Sequence, residues 1–62
     1  MAKYSCRFLN NDGRIDDVEI IDCDGDKLAQ ARSSLFFSQR DFPAAELWID
    51  GRLVSRYEKT PA

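Results

Sequence analysis

A chain of 62 residues supports one domain, and one this small buries only about 60% of its unfolded surface, so it needs a staple or a partner. Two cysteines and no histidine exclude the usual four-ligand zinc staple and leave any serine nucleophile without its usual base. The net charge of −2 divides into seven acids and four bases over residues 1–31 and four acids and five bases over residues 32–62, so neither half offers a basic surface for nucleic acid.

Residues 4–9 predict a strand. Tyr4, Cys6 and Phe8 alternate with Ser5 and Arg7, the period of a half-buried strand. Asn10, Asn11, Asp12 and Gly13 follow, and all tolerate the left-handed backbone of a turn. Residues 14–23 predict the returning strand, rich in the β-branched Ile15, Val18, Ile20 and Ile21. Its alternation breaks: Val18 and Ile20 share one face, Ile15 and Ile21 the other. A bulge near Asp16 and Asp17 reconciles them, and Asp16, Asp17 and Glu19 blunt an edge strand.

Residues 24–38 predict the one helix, with Asp24 as N-cap and Asp26 in the first turn. Leu28, Ala31 and Leu35 form its apolar stripe, flanked by Ala29 and Phe36; Gln30, Ser33 and Ser34 form the wet side. Phe37 falls nearly opposite Leu28, so it folds under past the helix end or stays exposed on the surface. Phe42 before Pro43 ends the helix and plugs the base of the core. Residues 44–49 and 52–57 predict a second hairpin around Asp50-Gly51, a strong short-range hairpin signal. Residues 58–62 read as a frayed end, which leaves an ordered core of about residues 3–57 in a single domain, 1–62.

The fold class expected is therefore α+β, in the order ββαββ: a four-stranded, mainly antiparallel sheet with one helix packed on one face. The strand order expected is 2-1-3-4, which puts the acidic second strand on an edge. A two-residue loop at Asp50-Gly51 sets Ile49 opposite Arg52, Trp48 opposite Leu53, Leu47 opposite Val54 and Glu46 opposite Ser55. One face then carries Ala45, Leu47, Ile49 and Val54 and takes the helix. The other carries Trp48, Leu53 and Tyr57, with Arg52 and Arg56 turned away from them. Soluble monomers rarely expose a large apolar patch, and Trp and Tyr are enriched in interface hot spots. Trp48, Leu53, Tyr57 and Phe37 are accordingly the candidate contact residues, and a homodimer or an unknown protein partner is the expected occupant.

Other chemistry finds little footing. Asp22, Asp24 and Asp26 imitate the start of a calcium loop, but the turn glycine and the closing glutamate are replaced by Lys27 and Ser33. Asp12, Asp16 and Asp17 read as solubilising charges near a turn. Cys6 and Cys23 read as reduced, buried thiols, and Asp22, Asp24 and Asp26 around Cys23 oppose a reactive thiolate. Gly13, Gly25 and Gly51 stand alone, so there is no phosphate loop. No cofactor, no metal and no catalytic residue is expected. No apolar run reaches the roughly 20 residues of a membrane span, and the first residues lack a signal-peptide core, so a cytoplasmic location is expected.

Tyr4-Ser5-Cys6-Arg7-Phe8-Leu9, Asp12-Gly13-Arg14-Ile15, residues 24–31, Glu46-Leu47-Trp48 and Gly51-Arg52-Leu53-Val54 carry a resemblance. Over roughly residues 4–56 the chain resembles a class of short uncharacterised proteins of rhizobia and related alphaproteobacteria. These look like a Tyr-x-Cys-x-Phe-Leu strand, an Asp-Gly turn, an Ala-rich helix and a Glu-Leu-Trp hairpin. Ser33, Ser34, Phe36 and Phe37 depart from that Ala-rich helix. The class has no established activity, so the resemblance implies a fold and a bacterial origin. The function expected is a non-enzymatic protein-interaction or regulatory module acting as a homodimer; the alternative is a ligand- or nucleic-acid-binding domain using the open sheet face.

Overall fold

A computed structural model describes residues 1–59. The elements run β1 (Ala2–Leu9), β2 (Ile15–Cys23), α1 (Asp26–Gln39), β3 (Ala44–Ile49) and β4 (Arg52–Glu58). They form one antiparallel sheet in the order β2-β1-β3-β4, with the helix on one side. The α+β class, the ββαββ order and the strand order are as the sequence predicts. Of the expected frayed end, Glu58 closes β4 and the Lys59 N–H donates to the Pro43 carbonyl at 3.0 Å; residues 60–62 lie outside the described residues.

Turn chemistry fixes both hairpins. Asn10 Oδ1 accepts from the N–H groups of Asp12 and Arg14, at 2.9 and 3.0 Å, and Gly13 takes the left-handed backbone, φ 78°. Asp50 and Gly51 are left-handed at φ 48° and 76°, the pairing that a two-residue loop needs to match strand twist.

Two bulges then decide which side chains share a face. In β2 the register slips between the partners of Phe8 and Leu9, which are Asp17 and Ile15, so Asp16 is the extra residue. That slip lies where the sequence predicts it, and it brings Ile15 to the face of Val18 and Ile20. In β4 the slip lies between the partners of Leu47 and Trp48, which are Ser55 and Leu53, so Val54 is the extra residue. The uninterrupted register expected from the tight loop is corrected here. Beyond the bulge every β4 residue changes sides, because side chains alternate with period two.

The helix buries a different face from the one its leucines suggest. Ala29, Ser33 and Phe37 are buried; Leu28 and Leu35 are 47% and 58% exposed. Apolar residues are spread around α1, so its own pattern does not choose a face. The sheet chooses. Tyr4, Phe8, Leu47 and Tyr57 rise from it, and small residues at positions 29 and 33 let the helix backbone approach. Ser33, expected on the wet side, is fully buried. It donates to the Ala29 carbonyl at 2.7 Å, and the Tyr57 hydroxyl lies 3.0 Å from Ser33 Oγ and 3.1 Å from the Gln30 carbonyl. The N-cap is Gly25 rather than Asp24, and no side chain caps the helix there.

The far end of α1 is tied down from three sides. Phe37 packs on Tyr57 and Phe42 stacks on Phe8, with ring centroids 5.9 and 5.3 Å apart. Arg40 lies over the Phe8 ring and bridges Asp17 and Glu19 of β2. Lys59 donates to the Arg40 carbonyl. The helix face makes a direct prediction. Phe37→Ala will cost about 3 kcal/mol, the scale of an aromatic cavity, enough to unfold a domain this small. Leu35→Ala will shift stability by no more than about 0.5 kcal/mol. Urea melts followed by circular dichroism separate the two.

Candidate functional site

One helix covers one face of the sheet, and cross-strand partners define the other. A first row runs Ile20, Ser5, Trp48, Leu53 from β2 to β4; a second runs Val18, Arg7, Glu46, Arg56; a third runs Ile15, Leu9, Ala44, Glu58. Lys3 and Asp22 pair beyond the first row. Ile20, Ile15, Leu53 and Val18 are 59%, 52%, 45% and 43% exposed and are the exposed large apolar residues of this face.

Trp48 is half-buried and held in place. Its Nε1 donates to Glu46 Oε1 at 3.1 Å, and the Arg7 guanidinium stacks on the ring, 4.9 Å from the centroid. Arg56 donates to Glu46 and to Glu58, both at 2.8 Å. Lys3, Arg7 and Arg56 thus share the face with Asp22, Glu46 and Glu58, three cations against three acids.

Of the four candidate contact residues, the structure brings Trp48 and Leu53 together on the open face. Tyr57 is corrected to the helix side, and Phe37, still within the helix, is buried rather than available for contact. The bulge at Val54 sets Tyr57 opposite the buried Ala45, and Phe37 packs against the Tyr57 ring in the core. The same bulge carries Arg56 onto the Trp48 face, where the sequence reading placed it opposite; Arg52 stays on the helix side, as expected, and pairs with Asp26. From β1, Ser5, Arg7 and the buried Leu9 lie on the open side, while Tyr4 and Phe8 lie in the core under the helix. Ile15, Val18 and Ile20 are the members that sequence reasoning missed. The expected strand order and the expected bulge together would have placed them.

Groups with potential chemistry lie elsewhere and are engaged. Cys6 and Cys23 are free, buried thiols, and burial, with Glu19 adding to it and Arg40 opposing, pushes Cys6 up to about 11. Cys23 Sγ donates to the Gly25 carbonyl at 3.7 Å. Among the described residues no three His, Cys, Asp or Glu stand close enough to hold a metal ion, and no helix is long and apolar enough to cross a membrane. A shallow cavity of about 290 Å³ at the base of the open face is lined by Leu9, Asn10, Pro43, Ala44, Arg56 and Lys59. The chain matches no protein-family model, no curated protein and no solved structure.

Beside the helix N-terminus, the buried Tyr4 donates to Asp26 at 2.6 Å, and Arg52 reaches the same carboxylate at 3.3 Å. The Tyr4 bond first, and Arg52 second, hold Asp26 below its usual 3.8; the bond to Asp26 first, then burial, pushes Tyr4 up to about 12. Asp26 stabilises the fold while ionised, so its contribution is full above the usual carboxylate value and lost as pH falls through the lowered one. Tyr4 stabilises while protonated, so its contribution is full below its usual 10.0 and lost as pH rises toward 12. Thermal melts across pH will therefore fall off at both extremes, and Tyr4→Phe will make the alkaline decline shallower.

Proposed function

We propose that the protein is a non-enzymatic interaction module whose working surface is the open sheet face, and that it acts as a homodimer in which a second copy covers that face. The observation that carries this reading is the cross-sheet row Ile20, Ser5, Trp48, Leu53, which lies on the side opposite the helix and sets the exposed Ile20 and Leu53 on either side of the indole and Ser5. Two features favour a second copy over other occupants. The balance of three cations and three acids makes the face electrically self-complementary, as an isologous contact requires. A domain of 62 residues also gains most from added burial.

Buried thiols and the absence of histidine support a role without catalysis. A ligand- or nucleic-acid-binding role on the same face has Arg7 and Arg56 beside Trp48 in its favour. Asp22, Glu46 and Glu58 oppose it, since a phosphate backbone selects uncompensated positive charge. A cytoplasmic site of action is part of the same proposal.

Size-exclusion chromatography with light scattering tests the reading. The wild-type chain will elute with twice its monomer mass at micromolar concentration, and Trp48→Arg will elute as a folded monomer. A wild-type monomer at high micromolar concentration refutes it.

A further inference from the structure

We infer that the second copy seats on the open face about a two-fold axis that runs along the strands, between β1 and β3. This rests on the homodimer reading above and names its contacts. Rotation about that axis lays β1 over the partner's β3 and β2 over the partner's β4, with each row meeting the same row. In the first row Trp48 covers the partner's Ser5, large against small, and Ile20 meets the partner's Leu53, apolar against apolar. In the second row Arg7 meets the partner's Glu46, and Val18 lies along the partner's Arg56 stem. In the third, Leu9 is only 7% exposed and adds little beneath the partner's Ala44, and Ile15 over the partner's Glu58 is a poor match at the rim.

Arg7 supplies an independent reason. It is half-buried and stacked on the indole, yet among the described residues it makes no side-chain hydrogen bond and no ion pair, even though Glu46 is its cross-strand neighbour. Its nitrogens still reach solvent, and a guanidinium with five donors requires an acid once a covering partner removes that solvent. The partner's Glu46 provides that acid, and symmetry repeats the contact. Other axes match less well. An axis across the strands along the first row sets Ile20, Trp48 and Leu53 each over its own copy, but it also sets Lys3 over the partner's Arg7, like charge on like twice over, and Ser5 over the partner's Ser5. Moving it between the first and second rows sets Ser5 over the partner's Arg7 and Trp48 over the partner's Glu46, which leaves the indole without an apolar partner. Both kinds of axis keep the stacked strands aligned, so the pairing of the rows decides between them.

Cross-linking reads the register directly. Ile20→Cys and Leu53→Cys alter exposed positions on opposite edges of the sheet, three strand spacings or about 14 Å apart, and the native thiols are buried. Each variant alone, and the two refolded together, are treated with a short bis-maleimide, and light scattering is run on the same samples. A covalent dimer is expected only in the mixture, in the statistical share of mixed pairs. Self-linking of Ile20→Cys or of Leu53→Cys, or no linking in a mixture that light scattering shows to be dimeric, overturns the axis and leaves the dimer standing. Monomers throughout would overturn both.

Discussion

A helix of fourteen residues covers one face of a four-stranded sheet and leaves the other bare. The side chains of the sheet are sorted by that constraint. The sorting is done by backbone register, and the register is set by two bulges. Asp16 in β2 gathers Ile15, Val18 and Ile20 on the bare face. Val54 in β4 sends Tyr57 under the helix and Arg56 to the outside. Each bulge changes one residue in the ladder and reassigns the strand beyond it.

The core follows from what the sheet presents. Tyr4, Phe8, Leu47 and Tyr57 are bulky, so the helix meets them with Ala29 and Ser33 and closes its lower end with Phe37. Burying the Ser33 hydroxyl is tolerable because it donates to Ala29, and the Tyr57 hydroxyl finds its own partners on the same helix turn. Arg40 then binds the helix end to the acidic edge strand through Asp17 and Glu19. Those acids, which the sequence reading assigns to edge protection, also tie the helix to the sheet.

The parts of the fold that rest on local chemistry were legible in the sequence. The Asp50-Gly51 loop, the Asn-Asp-Gly turn, the alternation of Tyr4, Cys6 and Phe8 and the break before Pro43 each state a conformation within a few residues. The helix face was not legible, because Leu28, Ala31 and Leu35 make a stripe as plausible as the one the sheet selects. The bulge at Val54 was not legible either: nothing in Arg52-Leu53-Val54-Ser55 marks an extra residue. Its signature is tertiary, in the Tyr57 hydroxyl that finds partners on α1. Trp48 and Leu53 lie on the open face, as the loop register places them, because they are on the loop side of that bulge. Tyr57 lies beyond it and changed sides.

The bare face carries a consequence for function. It holds the protein's one tryptophan, fixed between Arg7 and Glu46 and flanked by exposed aliphatic residues. That arrangement makes Trp48 a built-in reporter of whether the face is covered. Its fluorescence emission, recorded from nanomolar to high micromolar chain concentration beside sedimentation equilibrium, is the most direct measurement. Cover by a second copy predicts a blue shift that follows the rise from the 7.1 kDa monomer to twice that mass. Emission that stays constant, with a monomer mass at every concentration, would contradict it.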